Sequence, residues 1–307
     1  MHSWSSLINL NFLAEVDLEQ HIKSLSVRTV VITSIIVVVC CILAVALKKQ
    51  KELKLPLFLL IAGSLLLSTG ILFANTIYLN VKSESKGPVH WHADAEFWSC
   101  GLEVELRDPK GFLSNKIGSS TYHEHNDKRI HLEGVVIKKA VDASLGKFMR
   151  VIDGYLTDNA IALPLNDDPT RYFVKEPRPE NYSRSIGDGE WIKTADKGKV
   201  LQLKNGNYCA EGEPAAEVQA FVYTFDKKTM TYSQQKLNKP ADYKMRDEQL
   251  VPPGDCLIIE YDQPKSRTDK LCFQYGIRDA ERCVEFGVKE FHPELCNIRE
   301  VNAGGSE

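Results

Sequence analysis

Val30 to Leu47 (VVITSIIVVVCCILAVAL) runs for eighteen residues without a charged side chain. That is about the shortest helix able to cross a hydrocarbon core of roughly 30 Å at about 1.5 Å per residue. A second apolar run, Leu55 to Leu79, is longer, opens near Pro56 and carries Gly63 and Gly70, where glycine lets a neighbouring helix approach closely. Between them lies LKKQKELK, with Lys48, Lys49, Lys51 and Lys54. The positive-inside rule puts such a basic turn in the cytoplasm. The expectation is a transmembrane hairpin over 29–80 in the plasma (inner) membrane, with both termini and the main domain extracytoplasmic and the lipid bilayer as a partner. A cleaved signal peptide fits less well: the first apolar run starts only after some thirty residues and lacks a small-residue cleavage site.

Before the hairpin, Leu7, Leu10, Leu13, Leu18, Ile22 and Leu25 recur at roughly helical spacings around Glu15, Asp17 and Glu19, so 1–28 reads as an amphipathic leader. The acidic residues weaken any attraction to anionic lipid. The net charge of −3 and pI near 6.3 exclude a nucleic-acid partner, because phosphate binding needs a basic stripe that this chain lacks.

Outward placement predicts an oxidising setting for Cys100, Cys209, Cys256, Cys272, Cys283 and Cys296. Six cysteines allow three disulfides in any of fifteen pairings, and spacing does not choose among them. Without a CxxC motif, ribbon-type zinc and thioredoxin-like redox chemistry are both disfavoured. Cys40 and Cys41 fall inside the first apolar run and read as apolar residues.

Beyond the linker KSESKG, alternating stretches at Glu96–Leu106, Arg129–Ile137 and Val218–Phe225 predict half-buried strands, separated by turn signals such as DPKG, KNGN and PPGD. One helix is expected over Asp142–Ile152, capped by Asp142. The predicted architecture is a β-sandwich or barrel-like His-rich domain over 87–174 and a linker or insertion over 175–199 containing the sequon Asn181-Tyr182-Ser183. A small β-grasp-like unit over 200–262 and a Cys-containing tail over 263–307 complete it.

Five of the eight histidines fall in short blocks with acidic neighbours: His90, His92 and Asp94 in HWHAD; His123, His125 and Asp127 in HEHND; then His131 in RIHLEG. On a strand, residues i, i+2 and i+4 face one side, so HxHxD sets two imidazoles and a carboxylate on one surface. Imidazole is the commonest metal-binding side chain and suits Zn, Cu and Fe. The pattern therefore points to a divalent transition metal, with Asp94, Asp127 and Glu133 as ligands or as carboxylates that orient the rings. The competing reading, in which the histidines only hydrogen-bond, applies best to isolated rings rather than to two HxH blocks. HExxH and GxSxG are absent, which leaves zincin proteases and serine hydrolases unsupported. Trp91 and Trp98 flank the first block and read as core residues.

The runs GPVHWHADAEFWSCG, SNKIGSSTYHEHNDKRIHLEG and DASLGKF resemble an uncharacterised family of membrane-anchored prokaryotic proteins with HxHAD-type and HEHND-type blocks. The resemblance spans 87–155 strongly and the PPGDC region more weakly. It implies an extracytoplasmic domain with a shared site at His90, His92, His123, His125 and His131, and no established activity. Ala95, where an aromatic often follows the Asp, and the long 175–199 stretch depart from that pattern. Three functions remain open: a metal sensor, carrier or storage module; a metal-dependent enzyme acting on envelope material; and a structural protein that meets an envelope protein partner.

Overall fold

The computed structural model describes residues 18–109, 115–165, 190–193, 199–209, 212–229, 231–273, 275 and 299–302. These fall into two compact units: one up to Pro88 together with Val135–Ile137, the other Val89–Gly134 and the chain from Lys138 onward.

The first unit is built from two apolar helices, α1 (Leu18–Ala46) and α2 (Lys54–Lys82), joined through a short 3-10 turn at Lys51–Leu53. Both are long and apolar enough to cross a membrane, and most of their large side chains, such as Val31, Ile35, Leu66 and Phe73, are exposed. Of the expected leader over 1–28, residues 18–28 are helical within α1, and residues 1–17 lie outside the described part. The glycines are not what brings the helices together: a Cβ at Gly63 or Gly70 would meet nothing within 4 Å. The buried small residues are instead Thr33, Cys40 and Ser64, and Asn75 donates from Nδ2 to Ser26 Oγ at 2.8 Å. Cys41 is exposed.

The second unit is mainly β. Its strands are β1 (Pro88–Ser99), β2 (Leu102–Val104), β3 (Ile117–Gly118), β4 (Tyr122–Glu124), β5 (Arg129–Val135), β6 (Tyr155–Leu156) and β7 (Ala160–Pro164). They continue with β8 (Glu190–Lys193), β9 (Lys199–Lys204), β10 (Glu217–Asp226), β11 (Thr231–Lys236), β12 (Cys256–Asp262) and β13 (Arg299–Asn302). A nine-stranded mixed sheet has the order β13-β11-β10-β12-β1-β5-β4-β3, with β2 paired on β1; a four-stranded sheet has the order β6-β7-β9-β8.

Three expectations change here. The strands of 200–262 do not form a β-grasp-like unit of their own: β12 pairs in parallel with β1, Asp94 opposite Cys256 through Ser99 opposite Tyr261, while β9 belongs to the smaller sheet. Within the 175–199 stretch, Glu190–Lys193 pairs with β9 as a strand, and the sequon lies outside the described residues. The long strand expected over 96–106 breaks at Cys100–Gly101, where both residues have positive φ (54° and 80°). Ser99 pairs with Leu102 across that two-residue turn, the geometry that suits a tight hairpin. Cys100 is also bonded to Cys209.

Alternation is lost along β1 because Ala93 to Phe97 are all buried, as expected of an interior strand covered on both faces. The core beside it gathers Phe221, Tyr223, Phe225, Val251, Ile258 and Tyr275, with the Cys256–Cys272 disulfide among them and Trp98 against its edge. Cys283 and Cys296 lie outside the described residues.

The helix expected over 142–152 is two pieces, α3 (Lys139–Asp142) and α4 (Leu145–Val151). Pairing of 143–145 with 243–245 interrupts it: Leu145 N–H donates to Tyr243 O at 2.8 Å and Met245 N–H to Ala143 O at 3.0 Å. The cap is therefore Ser144, whose Oγ accepts from Lys147 N–H at 3.1 Å, and not Asp142. Leu145, Phe148 and Met149 then bury one face of α4.

Candidate metal centre

Three adjacent strands carry the histidines. β1 presents His90 and His92 two residues apart, β5 presents His131 and Glu133 two residues apart, and β4 ends at the HEHND turn. Neighbouring strands lie about 4.8 Å apart, so side chains on a shared face meet across them. The antiparallel β4–β5 pair sets His123 directly opposite His131, and their rings stack 5.5 Å apart with an interplanar angle of 3°. His92 meets His131 from the other side at 4.6 Å between ring centroids. His90 lies 4.6 Å from His92, and His125 lies 4.7 Å from His123 and 4.8 Å from His131.

The result is two groups of three, His90 with His92 and His131, and His123 with His125 and His131, in each of which one ligand atom per residue lies within 4.8 Å of the others. Such groups can hold a metal ion. Tetrahedral Zn–N bonds of about 2.0–2.1 Å place the nitrogens roughly 3.4 Å apart.

Hydrogen bonding orients the rings as metal-binding imidazoles are usually oriented, with one nitrogen held and the other left over. A carbonyl oxygen only accepts, so its partner nitrogen must carry the proton. His92 Nδ1–H donates to Gln249 O, and His125 Nδ1–H donates to Asn115 O at 2.8 Å. His131 Nε2–H donates to Asp127 Oδ2 at 3.1 Å. That frees Nε2 on His92 and His125 and Nδ1 on His131. His92 Nε2 is buried without a hydrogen-bond partner, as are both ring nitrogens of His123. Burial of a polar atom with nothing to bond is costly and calls for an explanation.

Burial, reinforced by Lys116, pushes His123 down to about 4. Burial also lowers His92. Both rings are therefore neutral near pH 7, the state that coordinates. For Asp127, burial acts to raise the carboxyl, but the hydrogen bond from His131 and the attraction of that ring and Arg129 together take it below its ordinary range.

The HEHND turn is braced internally. Glu124 Oε1 accepts from the N–H groups of Asp127 (2.6 Å) and Lys128 (3.1 Å), and Asp127 Oδ1 accepts from Arg129 N–H at 3.1 Å. Asn126 and Lys128 take positive φ of 64° and 58° to close it. Asp127 thus touches the site through His131. Asp94 does not join either histidine group: its Oδ1 accepts from Arg129 Nε at 2.8 Å, and burial pushes its carboxyl up to about 6 against that pull. Glu133 is in contact, with Oε1 3.1 Å from His90 Nε2 and Oε2 3.9 Å from His123 Nε2. Trp91 and Trp98 are half-buried, under Lys139 and Lys270 respectively.

No family model, curated protein or solved structure matches this chain. The centre therefore rests on its own geometry.

Sequence reasoning missed the loop 246–255 that steadies β1. Glu248 O accepts from His92 N–H at 2.8 Å and Asp255 O from Asp94 N–H at 2.9 Å, in addition to the Gln249 contact. Backbone carbonyls leave no residue signature, and the only hint was the PPGD run. Gly254 packs so tightly there that a Cβ would stand 2.5 Å from His92 O.

Proposed function

We propose that this chain is a membrane-anchored extracytoplasmic protein that binds a divalent transition metal through His90, His92, His123, His125 and His131. The observation that carries this is the convergence of five rings in two groups of three, with His92, His125 and His131 each held through one nitrogen and His92 Nε2 and both nitrogens of His123 buried with no hydrogen-bond partner. Imidazole donors with nearby carboxylates suit Zn(II), Cu(II) or Fe(II). The role is that of a sensor, carrier or store. The anchor is the pair α1 and α2 spanning the bilayer, with the lysine turn Lys48–Lys54 on the cytoplasmic side. The likeness of the chain's HWHAD and HEHND blocks to those of membrane-anchored prokaryotic proteins supports this reading.

The test is the metal content of the full-length protein purified in detergent, exposed in turn to Zn(II), Cu(II) and Fe(II) and then dialysed. Wild type is expected to retain metal. His131→Ala, which removes the ring common to both groups, is expected to lose it while keeping its thermal unfolding transition. Wild-type protein that retains none of the three metals overturns the reading.

A second reading is a metal-dependent enzyme acting on envelope material. It is favoured by the exposure of His90 and Glu133, whose side chains are 56% and 39% accessible. A water on an ion there would have a carboxylate within reach as base. Hydrolysis of envelope polymers that stops on chelation and in Glu133→Ala would support it.

A further inference from the structure

Resting on the metal-binding reading above, we infer that the centre is built for two cations rather than one, with Glu133 bridging them. Five imidazoles are more than one tetrahedral ion uses, since catalytic zinc takes three protein ligands and structural zinc four. Nor are the rings gathered about one point. They form a row, His90–His92–His131–His125, with His123 stacked beside His131. The row divides into an outer group that reaches the surface at His90 and an inner group that ends at the fully buried His123.

Glu133 is a member of neither group as the side chains stand, but its carboxylate lies beside both. One of its oxygens faces His90 of the outer group at 3.1 Å, and the other faces His123 of the inner group at 3.9 Å. A carboxylate aimed in this way gives one oxygen to each of two ions, and paired metal sites hold their ions about 3.5–4 Å apart. At that separation two dications repel strongly, so a negative bridge is an electrostatic requirement. The outer ion takes His90, His92 and one Glu133 oxygen. The inner ion takes His123, His125 and the other oxygen. His131, the ring common to both groups, completes one of the two shells through Nδ1 while Asp127 holds its Nε2–H. An ion at the inner seat would take the lone pair of one of the two orphaned nitrogens of His123, the other carrying the ring proton.

The experiment is a stoichiometry. Full-length protein in detergent, stripped with chelator, is titrated with Zn(II), and bound metal is measured by elemental analysis at saturation. Two equivalents are expected for wild type and one for Glu133→Gln, with the variant's unfolding transition retained. Reloading with Cu(II) gives an independent readout: ions this close couple magnetically, so wild type should show a resonance signal weaker than that of the same amount of isolated Cu(II), and Glu133→Gln should restore it. Saturation of wild type at one equivalent, with an uncoupled Cu(II) signal, overturns the paired site but leaves metal binding intact. Saturation at zero overturns both.

Discussion

Replacing His123 with leucine separates the cost of that buried ring from its use. The ring is fully buried and neither nitrogen has a hydrogen-bond partner. A neutral imidazole carries one donor and one acceptor, and each unmatched buried group costs about 1–3 kcal/mol. Leucine fills a similar space, and a volume-conserving change in a core costs under about 1.5 kcal/mol. In the absence of metal, His123→Leu should therefore be more stable than wild type, by between about 0.5 and about 6 kcal/mol. Added metal should shift the balance back toward wild type, because an ion at a hundred times its Kd stabilises the folded wild type by about 2.7 kcal/mol and the variant by much less. The assay is urea unfolding of the full-length protein in detergent, followed by tryptophan fluorescence, with EDTA and then with excess Zn(II). Trp98, packed at the edge of the aromatic core, reports the loss of structure. A variant less stable than wild type in EDTA, or equally stabilised by Zn(II), would refute the claim that His123 is held in readiness for an ion.

The same pair of proteins tests pH dependence. His123 sits at about 4 when folded and near 6.5 when unfolded, so the unfolded chain binds the extra proton and wild type should lose roughly 3 kcal/mol relative to His123→Leu between pH 6.5 and 4 in EDTA. Asp94 and Asp255, both pushed up to about 6 by burial, act in the opposite sense and cancel in the difference; a flat difference curve would show that the ring is not shielded. Gly254→Ala forces a Cβ to within 2.5 Å of His92 O and 2.8 Å of Leu250 O. It should cost about 1–3 kcal/mol and weaken Zn(II) binding, measured by titration, because the loop carrying Gln249 O has to retreat from His92; unchanged affinity would show that this loop does not orient the ring. Removing the Cys100–Cys209 bridge, which joins residues 109 apart, should lower stability by about 2–5 kcal/mol, read as a shift in urea midpoint between wild type and Cys100→Ser/Cys209→Ser. Coincident midpoints would argue that the bond contributes nothing to the native state.

The helices and the clustered histidines were legible in the sequence for different reasons. Uninterrupted apolar length marks α1 and α2 whatever their neighbours do, and HxH on a strand projects both rings to one side by the two-residue repeat alone. Which residues face each other across strands was not legible, because register depends on turns: the stacking of His123 on His131 follows from the tight HEHND turn and its positive φ at Asn126 and Lys128. Asp94 looked like part of the same face, and its capture by Arg129 is a contact between β1 and β5 that no local pattern contains. The placement of β12 beside β1 is similarly non-local, which is why 200–262 read as a unit of its own. Asp142 resembled a helix cap for a related reason: the pull of Tyr243 and Met245 on 143–145 moves the helix start to Ser144.

The parallel seam between β1 and β12 has a consequence for the order of assembly. The strand bearing His90 and His92 waits for a partner about 160 residues further along the chain, and contacts between such distant segments form late because the intervening loop must first be closed. Until that partner arrives, the β4–β5 hairpin can bring His123 and His131 together, but His92 lacks the Gln249 and Glu248 carbonyls that hold it. A chain stopped before residue 248 would carry all five imidazoles and still have no finished place for a cation.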